Sequence, residues 1–290
     1  MLLRIATAAV LIPIVVALVW WGPAALLAAI AAIVAGLALV ELFDIGDRVG
    51  LRAFKKWTYF SAALVFYSQY SEGLAEVHSF SEGVSVVRNA ASGVLSLDAA
   101  LLIFVFGCVV LGLTTRRPLL EVLPAIAISS AGIFFVALPF SYIIRVNEIQ
   151  AVGKQLVLFT LVLVWAGDML AYFVGKSVGK VKMAPALSPK KTWEGAVANL
   201  LAAAIVAMLF ARWMQVDTLT LVGIAVAANI AGQGGDLIES AYKRGASIKD
   251  SGALLPGHGG MLDRIDSLIL AAPVVWVLYE WLLRGAIVSV

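Results

Sequence analysis

Nine runs of mostly apolar sequence follow one another along the chain, at 5–21, 24–42, 57–70, 97–114, 119–144, 156–175, 195–214, 218–241 and 265–283. A helix that crosses a bilayer needs about 20 such residues, and most of these runs reach or approach that length. They are rich in Ala, Val, Leu and Ile and show no period-2 alternation, so they read as helices and not as barrel strands. The rest of the 290 residues agrees: 62% are apolar and 13% charged, against roughly 25% charged in a soluble domain. Mean hydropathy is +0.99. A soluble enzyme, a disordered chain and a secreted disulfide scaffold are excluded. The expectation is an all-α, polytopic helical bundle in a lipid bilayer. It forms one membrane domain over 1–290, with N-terminal spans in 1–150 and catalytic spans and loops in 156–283.

The run at 5–21 has an early Arg4, but no convincing small-residue cleavage site precedes the next run, so it counts as a span and not a signal peptide. The run from Trp57 to Tyr70 is short, and charge decides it. With nine spans, 16 of the 21 Lys and Arg fall on one side and 5 on the other; without this one the split is 10 against 11. Cytoplasmic loops carry the Lys/Arg excess. Nine spans with the N-terminus inside are therefore expected, with Trp20, Trp21, Trp57, Trp213 and Trp281 at span ends as interface anchors. The polar stretch 71–96 reads as a solvated outer connector. A net charge of +3 implies no nucleic-acid partner. The one cysteine, Cys108, allows neither an intrachain disulfide nor a cysteine metal site.

Three groups of residues carry chemistry, all on the inner side. The first is Asp168 in the sixth span, followed by Tyr172, Gly175 and Lys176. A carboxylate at mid-membrane costs on the order of 2.5–3.5 kcal/mol, so Asp168 needs a partner or water. The second is the loop Ser188-Pro189-Lys190-Lys191-Thr192-Trp193-Glu194-Gly195 before the seventh span. Its two lysines, two hydroxyls and a helix start suit an anion. The third runs from Asp236 and Glu239 at the end of the eighth span, through Lys243, Arg244, Lys249 and His258, to Asp263, Arg264 and Asp266 at the start of the ninth. Residues three apart share a helix face, so this hairpin can gather four carboxylates. Carboxylates without cysteine suit a hard cation, Mg²⁺ before Zn²⁺. Ringed by Lys and Arg, they form a phosphoryl-transfer constellation.

The segment Ser240-x2-Lys243-Arg244-x4-Lys249-Asp250-x-Gly252-x3-Pro256-x-His258-Gly259-Gly260-x2-Asp263-Arg264-x-Asp266 resembles the hallmark of the phosphatidate cytidylyltransferases, also called CDP-diacylglycerol synthases. Ser188–Gly195 resembles a second motif of that family and Asp168–Lys176 a third. The likeness covers roughly 156–283; departures are Tyr242, Ala198 and Asn199, where an aliphatic residue or Phe and glycines are usual. The resemblance implies transfer of CMP from CTP to phosphatidic acid, giving CDP-diacylglycerol and pyrophosphate. It implies a Mg²⁺-dependent homodimer of the bacterial inner membrane, and the Lys/Arg excess places its site on the cytoplasmic side. By resemblance Asp236 and Asp263 hold the metal, with Asp266 and Glu239 close by; the expected metal ligands are Asp236, Asp263 and Asp266. Asp236, Lys243, Arg244, Lys249, His258, Asp263, Arg264 and Asp266 are then the catalytic candidates. Asp168, Ser188, Lys190, Lys191, Thr192 and Glu239 are the substrate-binding ones.

Rival readings fit less well. A secondary transporter would place its ionisable groups near the midplane, whereas these gather at one face. CDP-alcohol phosphotransferases carry Asp-Gly-x2-Ala-Arg, and polyprenyl-phosphate sugar transferases an Asp-Asp pair; neither string occurs. A membrane scaffold leaves the carboxylate–cation hairpin unexplained.

Overall fold

The computed structural model describes residues 2–81, 95–254 and 259–284. Ten α-helices run in order: α1 Leu2–Trp21, α2 Ala24–Arg48, α3 Lys55–Ser81, α4 Leu97–Thr114, α5 Leu119–Ala131, α6 Leu138–Asn147, α7 Gly153–Ser177, α8 Trp193–Met214, α9 Thr218–Gly245 and α10 Leu262–Tyr279. Every apolar run of the sequence lies in a helix. The fifth run is divided: a π-helical stretch, Gly132–Ala137, joins α5 to α6. Pro139, just inside α6, lacks the N–H that a regular ladder would use there.

Among the described residues seven helices are long and apolar enough to cross a membrane. The expected nine are not all of that kind. In α1, Ala9–Trp21 is a shorter apolar helix among the described residues. In α3 the polar side chains turn inward: Thr58, Ser61, Ser68 and Gln69 are buried, and Gln69 Nε2 donates to Ser141 Oγ of α6 at 3.2 Å. An all-α chain was also expected, and one small sheet is present. Strands β1 Lys182–Ala184 and β2 Ser188–Thr192 form an antiparallel hairpin. The lysine-rich segment before α8 is therefore an extended strand and not an open loop.

The chain divides into two compact units: Met1–Gln150 with Ser251–Leu262, and Ala151–Asp250 with Asp263–Val290. In the first, Leu39, Leu42, Phe43, Phe104, Ile133 and Ile144 form the core. Arg117 donates to the carbonyls of Arg52 (2.5 Å) and Ala53 (3.3 Å), so the α2–α3 and α4–α5 turns meet at one end. At the other end Glu72 of α3 accepts from Leu97 N at 2.8 Å, and Arg145 of α6 lies 3.6 Å from the same carboxylate. From Lys55 to Glu72, at 1.5 Å per residue, α3 covers about 26 Å. Trp57 does more than mark an interface. Its indole donates to Phe104 O at 3.1 Å, and its ring fills the notch over Gly107.

The second unit packs α7, α8 and α9 together. On α8 the buried face is Gly195, Ala198, Asn199, Ala202, Ala203, Val206, Ala207 and Ala211, while Val197, Leu201, Ile205 and Leu209 are more than half exposed. Small residues inside and large apolar ones outside is the arrangement of helices that associate in lipid. No hydrophobic force drives them together there, and close backbone approach supplies the attraction.

Candidate active site

The hairpin is fastened to the start of α8. Thr192 caps that helix, accepting from Gly195 N at 3.2 Å. Glu194, in the first turn, takes the N–H groups of Lys180 (2.9 Å) and Val181 (3.2 Å), and Trp193 N donates to Val181 O at 3.0 Å. A side chain at Gly179 would meet Thr192 Oγ1 at 2.6 Å, so this turn needs glycine. The result aims Lys191 at the end of α9, where its Nζ lies 2.5 Å from Asp236 Oδ2.

Glycines set how closely α9 and α10 approach. A Cβ on Gly232 would sit 3.0 Å from Ser267 O, and one on Gly235 would run into Asp266 O. That approach brings carboxylate oxygens of Asp236, Glu239 and Asp266 within 4.8 Å of one another. Glu239 is fully buried; the other two are half-buried. Three oxygen donors, with neither Cys nor His among them, fit a hard divalent cation such as Mg²⁺.

Lys243, one turn beyond Glu239, is buried and ion-paired with both Glu239 and Asp263, reaching Asp263 Oδ1 at 2.5 Å. Charges this far from water must be paired, and the lysine sits between two carboxylates. Asp263, expected among the metal ligands, pairs with Lys243 and is not one of the three carboxylates that lie within 4.8 Å of one another; Glu239, which pairs with the same lysine, is.

Asp168 has Asp236, Lys191 and Arg264 as charged neighbours. It accepts from Asn199 Nδ2 at 3.4 Å; Asn199 Oδ1 accepts from Asn229 at 2.5 Å, and Asn229 Oδ1 from Gln233 at 2.7 Å. This amide chain across α7, α8 and α9 was not legible: Asn199 stood out only as a departure from glycine. Arg244 is exposed and donates to the carbonyls of Leu187 (3.1 Å) and Ile248 (2.9 Å). Lys190, Lys249 and Arg264 are exposed, Ser188 is half-buried on β2, and His258 lies outside the described residues.

One residue from the N-terminal half was missed altogether. Glu41 of α2 is buried and accepts from Ser251 Oγ (2.7 Å), Met261 N (2.8 Å) and Leu262 N (2.8 Å). It holds both ends of the glycine-rich segment that leads into α10. Its only sequence signal is a lone carboxylate at the end of an apolar run.

A family model described as "Cytidylyltransferase family" matches residues 2–282. Among curated proteins, the phosphatidate cytidylyltransferase of Bacillus subtilis (strain 168) is 39% identical over 146 residues, 50% of this chain and 54% of that protein. The one from Haemophilus influenzae is 43% identical over 140 residues, 45% and 48% of the two chains. That of Staphylococcus aureus (strain COL) is 41% identical over 133 residues, 45% and 51%. The chain thus matches about half the length of these relatives.

Proposed function

The chain belongs to the cytidylyltransferase family, and we propose that it transfers CMP from CTP to phosphatidic acid, giving CDP-diacylglycerol and pyrophosphate. The observation that carries this reading is the cluster Asp236, Glu239 and Asp266 beside Lys191 and Lys243. Relatives named phosphatidate cytidylyltransferase supply the substrates.

In the reaction, an oxygen of the phosphatidate phosphate attacks the α-phosphorus of CTP. The new P–O bond forms as the α–β bond breaks, and pyrophosphate leaves. The nucleophile is an anion already, so no strong general base is required. The obstacle is repulsion between two anions. Asp236, Glu239 and Asp266 would hold Mg²⁺, which when bound offsets phosphate charge on the nucleotide and the leaving group. Lys191 orients Asp236, and Lys243 keeps Glu239 and Asp263 in register. Lys190, Lys249 and Arg264, exposed and charged, bind phosphate oxygens. Ser188 lines the nucleotide side, Thr192 holds the start of α8 behind it, and Asp168 orients the cations around it.

Nine crossings belong to this reading, supported by the charge split and by the meeting of α3 and α4 at both their ends. So do a cytoplasmic site, on the same charge split, and the bacterial inner membrane and a homodimer, on the resemblance. The test is transfer of label from CTP into lipid by the purified chain in detergent. Product that requires both phosphatidic acid and Mg²⁺ is expected. A folded chain that forms none under any divalent metal rules the reading out. Gly235→Ala in the same assay is expected to lower transfer about tenfold or more, because the added methyl presses on Asp266 O and parts the two helices. Unchanged turnover would mean that the spacing of α9 and α10 is not what the chemistry requires.

A further inference from the structure

The first unit holds an open cavity of about 880 Å³ between the α2–α3 and α4–α5 turns. Arg52, Lys55, Lys56 and Arg117 line it against one carboxylate, Asp47. None of these residues belongs to the carboxylate cluster, and all lie within the first unit.

These cations are not equivalent. Lys55 is matched locally, 2.7 Å from Asp47 and 3.8 Å from Asp44. Arg117 is pinned by its two carbonyl bonds and by the Phe54 ring, 5.0 Å from its guanidinium carbon. A guanidinium has five N–H donors, so Arg117 keeps others for a ligand while its plane is fixed in advance. Arg52 and Lys56 are exposed and, among the described residues, make no ion pair. An ordinary positively charged loop holds its cations out in water on flexible stems. Here they surround a formed cavity, and one of them is oriented.

The rim says what carries the anion. Trp57 and Leu111 form apolar wall. Around Arg117 in sequence, Leu113, Leu119 and Leu120 are 82%, 88% and 90% exposed, which suits acyl chains and not water. Cations at a cavity whose lining residues Leu111 and Arg117 are flanked in sequence by bare leucines mark the level at which a phospholipid keeps its phosphate above its tails. An inorganic phosphate has no use for the leucines and needs far less space. We propose that this pocket binds the phosphate of an anionic phospholipid through Arg52, Lys56 and Arg117, with the acyl chains along Leu113, Leu119 and Leu120. The inference does not depend on the transferase reading.

Native mass spectrometry of the full chain released from neutral detergent tests it. The probes are dioleoyl-phosphatidylglycerol, dioleoyl-phosphatidylethanolamine and inorganic phosphate. The expected result is a saturable phosphatidylglycerol adduct that the zwitterionic lipid does not match and millimolar phosphate does not displace. Arg52→Glu with Lys56→Glu, both at exposed positions, weakens that adduct about thirtyfold or more. Arg212→Glu, an exposed cation at the end of α8, leaves it within about twofold. Melting in detergent confirms that the double variant is folded. Equal binding of the zwitterionic lipid, or an undiminished adduct in the folded double variant, overturns the proposal. Displacement of the lipid by phosphate overturns it in favour of a soluble anion.

Discussion

Asp236→Asn is expected to reduce CMP transfer by about a thousandfold or more, equivalent to about 4 kcal/mol of transition-state stabilisation. The change keeps the shape of the side chain and removes its charge. Two things depend on that charge. Asp236 supplies one of the three carboxylates in the cluster with Glu239 and Asp266, and its Oδ2 pairs with Lys191 at 2.5 Å. A neutral amide is a poor ligand for a hard cation, and it releases Lys191 from its position. The two contributions separate in a double variant. If Asp236 served only to neutralise Lys191, then Lys191→Met would restore the balance, and the pair of substitutions would recover most of the activity. If Asp236 holds the cation, the double variant stays inactive and Lys191→Met alone loses far less. Activity in lipid-phase product, with melting temperature as the control for folding, decides. Asp236→Asn within about tenfold of the parent would remove the cluster from the mechanism.

The apolar helices and the gathering of charged side chains on α9 and α10 were legible in the sequence because membrane solvation imposes long uniform runs, and any charge interrupting them is conspicuous. Asp236, Glu239, Asp263 and Asp266 could be grouped from spacing alone. Which three of them lie closest together could not, because that depends on how closely Gly232 and Gly235 let α9 approach α10. The hairpin of β1 and β2 was hidden for a similar reason. Ser188–Thr192 contains a proline and two lysines and has no alternation of apolar residues; it is held extended by pairing with β1, and Glu194 and Trp193 beyond it fasten the hairpin to Lys180 and Val181. Likewise α3 looked marginal because its polar residues count against it in a linear sum, although they face Ser141 and other protein groups and not lipid. Asn199 and Asn229 carried no pattern at all. Polar side chains that find one another across three helices leave no mark in the order of residues.

Glu41→Ala is expected to destabilise the protein by about 3 kcal/mol or more and to lower transfer with it. Glu41 is only 7% exposed and lies 210 to 221 positions from the groups it binds. Its two oxygens receive a hydroxyl from Ser251 and the backbone N–H groups of Met261 and Leu262. The last two are at the start of α10, where N–H groups have no partner within the helix and a positive partial charge gathers. A carboxylate there is stabilised without a cation, and it satisfies donors that would otherwise be stranded. Alanine leaves three donors without their acceptor; each such buried group costs about 1–3 kcal/mol. The side-chain volume is lost as well, beneath Gly252 and Gly260, where a Cβ would already touch the carboxylate. The same helix carries Asp263 and Asp266, so fraying its first turn disturbs the cluster. Glu41→Gln keeps the shape and one acceptor oxygen but turns an N–H₂ toward backbone donors. It should melt between the parent and alanine variants and retain more activity than alanine. Thermal unfolding in detergent, run beside the transfer assay, gives both readouts. An alanine variant as stable and active as the parent would mean that the start of α10 is held by other groups, and that the buried carboxylate on α2 has no structural role.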